Sequence, residues 1–494
     1  MKKILLKNAR VVSADGIDEK DVVISGGNIL KVCESGEGED LLANIVDEKS
    51  EVTKAGDREE SVGEQSFGVI GGGGSARADV EGIDVFERDE SIIIDCSADD
   101  TYVLPGLIDA HVHFREPGLT AKGDFESESR AALAGGVTTI FDMPNTVPPT
   151  TTYETFKEKV KIAEEKCMCN FKLFVGGTDV VEIGKIAKDK KLNKFLAGIK
   201  VYMGCSTGCM EGGADGLEKI LAEKSLAKIP VVVHAEDQNC LNENSAKFDA
   251  GRPESHGEAR PIECAVEGVK VACHLAKKYN RPIHIAHVTS MDEVEVIRKF
   301  KDEKVTIGVG AGKRVVPLVS CEVSPRHLFL NDEMYGELGH LLKVNPPVRS
   351  KAVVGDLWNA VYDGEIDIIA SDHSPHTKEE KEGKGSGTNG ADAVLSGMPE
   401  VETTLPLLLS EVAHGKFGLK DIARMCCEKP AEIFGLGKVG RVADGYRADL
   451  VIVDLDVKRE IKAENLKYKC GWSCYEGRVL KGAVKRVILG GEVI

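Results

Sequence analysis

The sequence lacks three features that would place it in common functional classes. No apolar run approaches the ~20 residues of a membrane-spanning helix, and Met1-Lys2-Lys3 leads into a strand-like segment instead of a cleavable signal peptide. Basic residues are outnumbered, since 64 Lys and Arg stand against 81 Asp and Glu, for a net charge of −17. Such a chain is poorly suited to nucleic acid or to an anionic membrane surface. We therefore expect a cytoplasmic protein that binds neither nucleic acid nor membrane.

Paired C-x-x-C spacings are also missing among the 14 cysteines. Several cysteines are scattered, Cys240 among them, and close pairs such as Cys426 and Cys427 do not suit a zinc knuckle. Neighbouring cysteines rarely form a disulfide. We expect reduced and mostly buried thiols.

Acidic charge is concentrated in residues 34–91. This stretch holds 17 Asp and Glu against 5 Lys and Arg, and residues 71–74 are all glycine. Such a composition buries too little apolar surface to offset the entropy of the chain. We predict a partly disordered insert, and we expect deletion of most of residues 37–89 to leave activity nearly intact. An interaction or regulatory segment is the alternative.

The rest of the chain has β-rich ends around a long middle. Short alternating runs separated by Gly and Asp turns predict that the two ends form one small β-sandwich domain. Its predicted parts are residues 1–33, 92–104 and 436–494.

The middle, residues 105–435, alternates apolar runs with helix-length segments. Strands are predicted at 137–141, 171–175, 198–203, 231–234, 283–288, 306–309 and 366–370. Helices are predicted at 153–166, 216–226, 265–278 and 290–301. Repeated strand–helix units predict a parallel sheet, and their number favours a closed (β/α)8 TIM-like barrel over an open sheet. The first strand ends in His111-Val112-His113, where an open nucleotide-binding sheet would more often carry a Gly-rich loop.

Metal-competent side chains occur at several of these strands. His111 and His113 lie on one face of a strand, so that both imidazoles can bind one ion, although packed or surface histidines share the pattern. Lys200 lies within an apolar strand, where an ammonium is costly to bury. Its neutral amine could form a carbamate that bridges two metals; a lysine paired with an acid is the alternative.

Three further candidates follow later strands. His234 and His287 end apolar runs, and Asp372 supplies a carboxylate near the end of the last run. His284 lies earlier in its strand, which favours a structural role. In a barrel the carboxyl ends of the strands meet at one face, so these groups are predicted to converge there.

The order His-x-His, Lys, His, His, Asp resembles the amidohydrolase superfamily. Several motifs are similar to those of dihydroorotases of class I, and the likeness covers nearly the whole chain except the acidic insert. These motifs lie at residues 109–118, 143–146, 321–327, 345–349, 371–376 and 471–477.

The resemblance implies a zinc site with one or two ions, two being favoured. It assigns His111 and His113 to the first ion and His234 and His287 to the second, with carboxylated Lys200 between them. Asp372 would bind the first ion and serve as acid and base. The implied reaction is the reversible closure of N-carbamoyl-L-aspartate to L-dihydroorotate in pyrimidine synthesis.

The resemblance also implies the substrate contacts. Arg115 matches the anchor of the substrate carboxylate, helped by Asn145 and His376, and Asn345 matches a position that contacts the ring. Ser396 and Gly397 stand where bacterial relatives often carry Phe-Gly, after a segment, residues 384–389, whose composition suits a lid.

Two other functions stay open. An allantoinase or hydantoinase would share the metal site; Arg115 and His376 favour an acidic substrate, whereas Ser374 in place of the commoner Ala points mildly the other way. A non-catalytic partner subunit would usually have lost ligands, and here each expected ligand is present. A homo-oligomer, or association with other pyrimidine-pathway enzymes, is also open.

Overall fold

The computed structural model describes residues 3–44, 85–88, 91–205, 212–307, 313–383 and 394–494. Most of the predicted insert and the predicted lid, residues 384–389, lie outside this part of the chain. The described strands are β1 (Lys3–Val12), β2 (Ile17–Ser25), β3 (Asn28–Glu34), β4 (Val85–Arg88), β5 (Ser91–Asp95), β6 (Thr101–Pro105), β7 (Leu107–Val112), β8 (Val137–Asp142), β9 (Asn170–Gly176), β10 (Leu196–Tyr202), β11 (Val231–His234), β12 (Ile283–Ile285), β13 (Lys304–Ile307), β14 (Arg314–Pro317), β15 (Val319–Val323), β16 (Ile368–Ile369), β17 (Leu450–Glu460), β18 (Val479–Leu489) and β19 (Glu492–Val493).

Apart from α1, the described α-helices lie in the middle region, where many of them alternate with the strands. They are α1 (Gly38–Asn44), α2 (Phe125–Ala134), α3 (Tyr153–Lys166), α4 (Val180–Lys188), α5 (Gly213–Ala222), α6 (Gln238–Asn244), α7 (Ser255–Ala259), α8 (Ile262–Tyr279), α9 (Met291–Lys301), α10 (Pro325–Phe329), α11 (Tyr335–Leu338), α12 (Lys351–Tyr362), α13 (Lys378–Lys381), α14 (Thr404–Ala413), α15 (Leu419–Ala423) and α16 (Lys429–Phe434). Among the helices just given, none has both the length and the apolar character needed to cross a membrane.

Both ends of the chain meet in one nine-stranded sheet. Its order is β19-β18-β17-β6-β1-β2-β3, and β5 pairs with both β1 and β4. Strand β6 precedes the barrel and β17 follows it; the two pair antiparallel, with Val103 opposite Ile452. Aliphatic side chains from both ends, such as Ile4 and Leu450, share one buried cluster. The predicted meeting of the two ends is confirmed.

The middle of the chain forms an eight-stranded sheet in the order β16-β15-β12-β11-β10-β9-β8-β7. Neighbouring strands run parallel. Its two edges come together beyond β7 and β16, where Val112 and His373 form a parallel bridge and the His113 N–H donates to the His373 carbonyl at 2.7 Å. The predicted (β/α)8 barrel is therefore confirmed, with the carboxyl ends of its strands gathered at one face.

Helix α3 shows how the sequence specifies the outer layer. Thr152 caps its first turn by accepting a hydrogen bond from a backbone N–H of that turn. Phe156, Val160 and Ala163 recur at helical spacing and are buried on one face. The helix spans the predicted residues 153–166 without a shift.

One predicted barrel strand is wrong. Residues 306–309 were expected to contribute to the barrel, but β13 (Lys304–Ile307) pairs antiparallel with β14 in a separate two-stranded sheet. The barrel strand at this point is β15, which pairs with β12 and β16. Its buried polar residues Ser320 and Glu322 interrupt the apolar run, so hydrophobicity alone pointed to the neighbouring hairpin.

The prediction of reduced cysteines is also wrong at one pair. Cys240 in α6 and Cys264 in α8 form a disulfide across 24 residues of sequence. The two helices lie side by side, since the Asp237 N–H at the start of α6 donates to the Cys264 carbonyl at 2.8 Å. The other cysteines of the described ranges are free, and most are buried.

Candidate active site

Three predicted ligands meet where the barrel closes. The Asp372 Oδ1 atom lies 3.2 Å from His113 Nε2 and 3.4 Å from His111 Nε2. One ligand atom from each residue falls within 4.8 Å of the others, and all three residues are buried. Two imidazoles and one carboxylate at this spacing are a donor set that suits a divalent transition metal.

The other predicted ligands, His234, His287 and Lys200, line the same pocket as these three residues. The His287 ring is 5.4 Å from the His111 ring between centroids, and His287 Nε2 faces His234 Nδ1 at 3.0 Å. The Lys200 Nζ atom and the His287 Nδ1 atom are buried without a hydrogen-bond partner in the part of the chain that is described. Buried polar atoms are rarely left unpaired, so these two atoms mark a place where another group fits.

Outer partners orient three of the imidazoles. In each pair a second side chain occupies the ring nitrogen that faces away from the cluster, which leaves the inner nitrogen for a metal. Burial lowers the pKa of His113 to about 3, so this ring is neutral at neutral pH, as a ligand must be. The pairs are His111 Nδ1 with Glu322, His113 Nδ1 with Asn145 Oδ1 (2.6 Å), and His234 Nε2 with Glu236 Oε2 (2.7 Å).

Lys200 and His284 occupy different environments within the barrel. Burial lowers the pKa of Lys200 to about 8, which makes its neutral amine accessible near neutral pH. His284 instead contacts Ser320 Oγ at 2.9 Å and Glu322 Oε2 at 3.1 Å. It therefore supports the carboxylate behind His111, in keeping with the structural role expected for it.

Arg326 holds Asp372 in place, although the sequence did not single it out. Its Nη1 donates to Asp372 Oδ2 at 3.3 Å, and its Nε donates to Glu400. Burial alone would raise the pKa of Asp372, but Arg326 and the neighbouring His111 outweigh it and hold the pKa well below its usual value. Arg326 lies within the motif at residues 321–327, three residues after strand β15 ends, and a charged residue at that place was the available signal.

Arg115 lies in the same pocket as the cluster. Its Nε donates to the Pro375 carbonyl at 3.0 Å, and its Nη2 lies 3.1 Å from His376 Nε2. Burial lowers the pKa of Arg115 to about 10, so the guanidinium still carries its charge at neutral pH. His376 Nδ1 lies 3.4 Å from Glu380 Oε2, which leaves Nε2 to accept from Arg115, and Glu380 in turn accepts from Lys122 Nζ at 2.8 Å. His376 thus orients Arg115 from behind and is not one of the pocket-lining residues.

The other predicted substrate contacts reach the pocket from different loops. Asn345 Oδ1 lies 2.9 Å from His256 Nε2, and the Gly397 N–H donates to the Lys343 carbonyl at 3.0 Å. Gly397 has a φ of +143°, and a Cβ there would lie 2.5 Å from the Ser374 carbonyl oxygen, so glycine is required. The pocket is lined by His111, His113, Arg115, Asn145, Lys200, Tyr202, His234, His287, Arg326, Asn345, Asp372, Ser374, Ser396 and Gly397.

Tyr202 is a second pocket residue that the sequence did not single out. It follows Lys200 by two positions on β10, and both side chains line the pocket. The Lys200 Nζ atom lies 5.2 Å from the centre of the Tyr202 ring. A tyrosine two residues beyond a candidate ligand on one strand was the signal that could have identified it.

Comparisons with known proteins agree with this arrangement. Residues 102–494 match the Amidohydrolase family. The dihydroorotase of Methanothermobacter thermautotrophicus is 34% identical over 398 residues, which cover 80% of this chain and 84% of that protein. The dihydroorotase of Pyrococcus horikoshii is 36% identical, over 79% of this chain and 80% of that one. The Multifunctional protein CAD of Squalus acanthias is 34% identical, over 79% of this chain and 15% of that protein.

Solved structures of similar fold include hydantoinases. L-Hydantoinase (dihydropyrimidinase) from Arthrobacter aurescens has a TM-score of 0.81 at 27% identity, covering 100% of this chain and 96% of that one. A structure of D-hydantoinase has a TM-score of 0.78 at 25% identity, covering 100% and 95%.

Proposed function

The chain belongs to the amidohydrolase family and is an enzyme that hydrolyses cyclic amides, and we propose that it interconverts N-carbamoyl-L-aspartate and L-dihydroorotate in pyrimidine synthesis. The observation that carries the choice of substrate is the charged, buried Arg115 in the same pocket as the His–Lys–Asp cluster. L-Dihydroorotate joins a cyclic amide to a carboxylate, so it needs a hydrolytic group and a cationic anchor together. A guanidinium binds a carboxylate through two parallel hydrogen bonds.

We propose zinc as the metal, with two ions per chain. Imidazole nitrogens, a carboxylate and a carbamate are all zinc ligands. Lys200 Nζ, which has no hydrogen-bond partner within the described residues, is the atom on which the carbamate would form. His111, His113 and Asp372 would hold one ion, His234 and His287 the other, with carboxylated Lys200 between them. Bound zinc would polarise the amide carbonyl and lower the pKa of a water molecule.

The proton transfers fall to Asp372. Arg326 occupies its Oδ2 atom, which leaves Oδ1 on the side of His111 and His113. In the hydrolytic direction Asp372 takes a proton from the attacking water and gives it to the ring nitrogen as the C–N bond breaks. In the biosynthetic direction the same carboxylate takes the proton from the ureido nitrogen and returns it to the departing water.

The other predicted site residues would bind and position the substrate. Arg115 would bind the carboxylate, with His376 holding its guanidinium in position. Asn145 would have two roles. Its Oδ1 orients the proposed metal ligand His113, and its side chain lines the pocket in which the substrate would bind. Asn345 would contact the ring, and Ser396 and Gly397 would close one wall of the pocket.

A hydantoinase-type activity is the second candidate. Solved hydantoinase structures match the whole fold, and one of them is 27% identical in sequence. A hydantoin shares the cyclic amide but lacks the carboxylate that Arg115 would bind.

Turnover of four compounds distinguishes these functions. L-Dihydroorotate, N-carbamoyl-L-aspartate, allantoin and hydantoin are assayed with zinc counted on the same sample. Zinc-dependent interconversion of the first two supports the proposal, and Arg115→Met should then abolish it while zinc content stays unchanged. Turnover of hydantoin or allantoin instead rejects the proposed substrate, and a fully loaded but inert protein favours a non-catalytic subunit.

Assembly and location are also proposals. A relative described as multifunctional, of which this chain covers 15%, supports association with other pyrimidine-pathway enzymes. Light scattering of the purified chain tests for a homo-oligomer, and co-elution with those enzymes tests for a complex. The cytoplasmic location and the division into residues 1–33, 34–91, 92–104, 105–435 and 436–494 stay predictions.

A further inference from the structure

The Tyr202 hydroxyl is a buried hydrogen-bond donor that meets no acceptor among the described residues. It has no hydrogen-bond partner in the described ranges, and the residue is 6% exposed. The side chain nevertheless lines the pocket that holds the His–Lys–Asp cluster and Arg115. A buried hydroxyl without a partner is unfavourable, and native structures rarely keep one without a reason.

The position of Tyr202 limits what could satisfy that hydroxyl. Its ring centre lies 5.2 Å from Lys200 Nζ and 5.9 Å from the centre of the His234 ring, so the tyrosine borders the cluster. The phenol is protonated at neutral pH and donates one hydrogen bond. A molecule bound in this pocket would bring acceptor oxygens next to it, because cyclic amides and their ring-opened products carry carbonyl or carboxylate oxygens.

We propose that Tyr202 is a substrate-contacting residue whose hydroxyl donates a hydrogen bond to an oxygen of the bound cyclic amide. The contact would supplement Arg115, which serves only a substrate with a carboxylate. It rests on the proposed function for the identity of that substrate and on the pocket geometry for everything else.

The chain offers a matched control. Tyr335 also has a buried hydroxyl without a partner in the described residues, and it is 5% exposed. It packs in a separate apolar cluster with Trp472 and does not line the pocket. Both Tyr→Phe changes remove one unsatisfied oxygen and keep the ring, so only a role in binding should distinguish them.

The test compares Tyr202→Phe, Tyr335→Phe and the wild-type protein, all loaded with zinc. The reference substrate is whichever of L-dihydroorotate, N-carbamoyl-L-aspartate, allantoin and hydantoin the wild type converts fastest, and binding of the same four compounds is measured by calorimetry. We expect Tyr202→Phe to lower kcat/KM or affinity by ~10- to 100-fold, the usual effect of losing a buried hydrogen bond to a ligand. Zinc content and thermal midpoint should stay unchanged, and Tyr335→Phe should behave as the wild type.

Two results would overturn the inference. One is a Tyr202→Phe variant with wild-type kcat/KM and affinity; the other is an equal loss in Tyr335→Phe. If the wild type converts hydantoin and not L-dihydroorotate, the proposed substrate is wrong, while the comparison of the two tyrosines proceeds on hydantoin.

Discussion

Arg326 and Asp372 are joined at two points. The Nη1 atom of Arg326 donates to the Asp372 carboxylate at 3.3 Å, and the Nη2 atom donates to the Asp372 backbone carbonyl at 2.6 Å. The Nε atom donates to Glu400, which also accepts from the Tyr475 hydroxyl. One guanidinium therefore fixes the rotation of the proposed proton carrier and neutralises a second buried carboxylate.

Arg326→Lys should lower kcat much more than it changes KM. Lysine keeps the charge but cannot reproduce the planar fork that contacts both parts of Asp372. Arg326→Met should also lower the free energy of unfolding by about 3–5 kcal/mol, because Glu400 then stays buried without its cation. Steady-state kinetics and thermal unfolding measure the two effects.

Arg281→Met is the control for this pair of variants. Arg281 is also buried, but it donates to backbone carbonyls such as that of Leu226, and it does not line the pocket. The Arg281→Met variant should be less stable than the wild type and should keep the wild-type kcat. A wild-type kcat in Arg326→Lys would show that the fork does not position Asp372.

Lys381→Met should raise KM and leave kcat and zinc content unchanged. The fully buried Nζ atom donates to the carbonyls of Lys343, Leu395 and Gly397 at 2.7, 3.1 and 2.9 Å. Methionine removes the one donor that these three carbonyls share, so the pocket wall that includes Gly397 loses its support. We expect roughly a tenfold rise in KM. Lys172→Met, at a buried lysine outside the pocket lining, should leave KM at its wild-type value.

Reducing agent should destabilise the protein, because it breaks the Cys240–Cys264 bond. Closing a loop of this length restricts the unfolded chain and contributes about 2–4 kcal/mol. Thermal unfolding with and without dithiothreitol measures the change, and alkylation followed by mass spectrometry identifies the bonded thiols. Cys240→Ser should be insensitive to the reductant, whereas Cys273→Ser, at a free buried thiol, should respond as the wild type. Alkylation of both Cys240 and Cys264 without reductant would contradict the bond.

Removing residues 45–84 behind a Gly/Ser linker should preserve kcat and the thermal midpoint, because this acidic segment has little apolar surface to bury. The wider deletion of residues 37–89, which composition alone suggests, should lower the midpoint. It removes Leu42, which packs on Leu5 and Val23, and strand β4, which pairs with β5. Equal midpoints for the two deletions would show that α1 and β4 contribute no stability.

Much of the fold could be predicted because the hydrophobic periodicity of the helices and strands was clear, and so was their order along the chain. Helix α3 has an unbroken helical pattern, and the two β-rich ends have similar alternation. Strand β15 was missed because Ser320 and Glu322 face the barrel interior, where Glu322 supports His111, and a polar residue breaks the hydrophobic signal.

The residues of the site likewise fall into those that the sequence identified and those that it did not. Side chains that follow barrel strands, such as His113 and Asp372, converge as a consequence of the fold, so order along the chain was enough to bring them together. Arg326 and Tyr202 differ, because their significance depends on what they contact or fail to contact in three dimensions. Their positions in the sequence place both residues near the strand ends, but those positions do not reveal the contacts.

The pairing of β6 with β17 sets an order of events during synthesis. Strand β6 leaves the ribosome before the barrel, and its partner β17 emerges only after the last barrel strand. The edge of β6 that pairs with β17 therefore stays unpaired while the intervening region is translated. An exposed strand edge can pair with the wrong strand. A nascent chain stalled before β17 would carry a barrel and an incomplete sheet, and this is the stage at which a chaperone would be needed most.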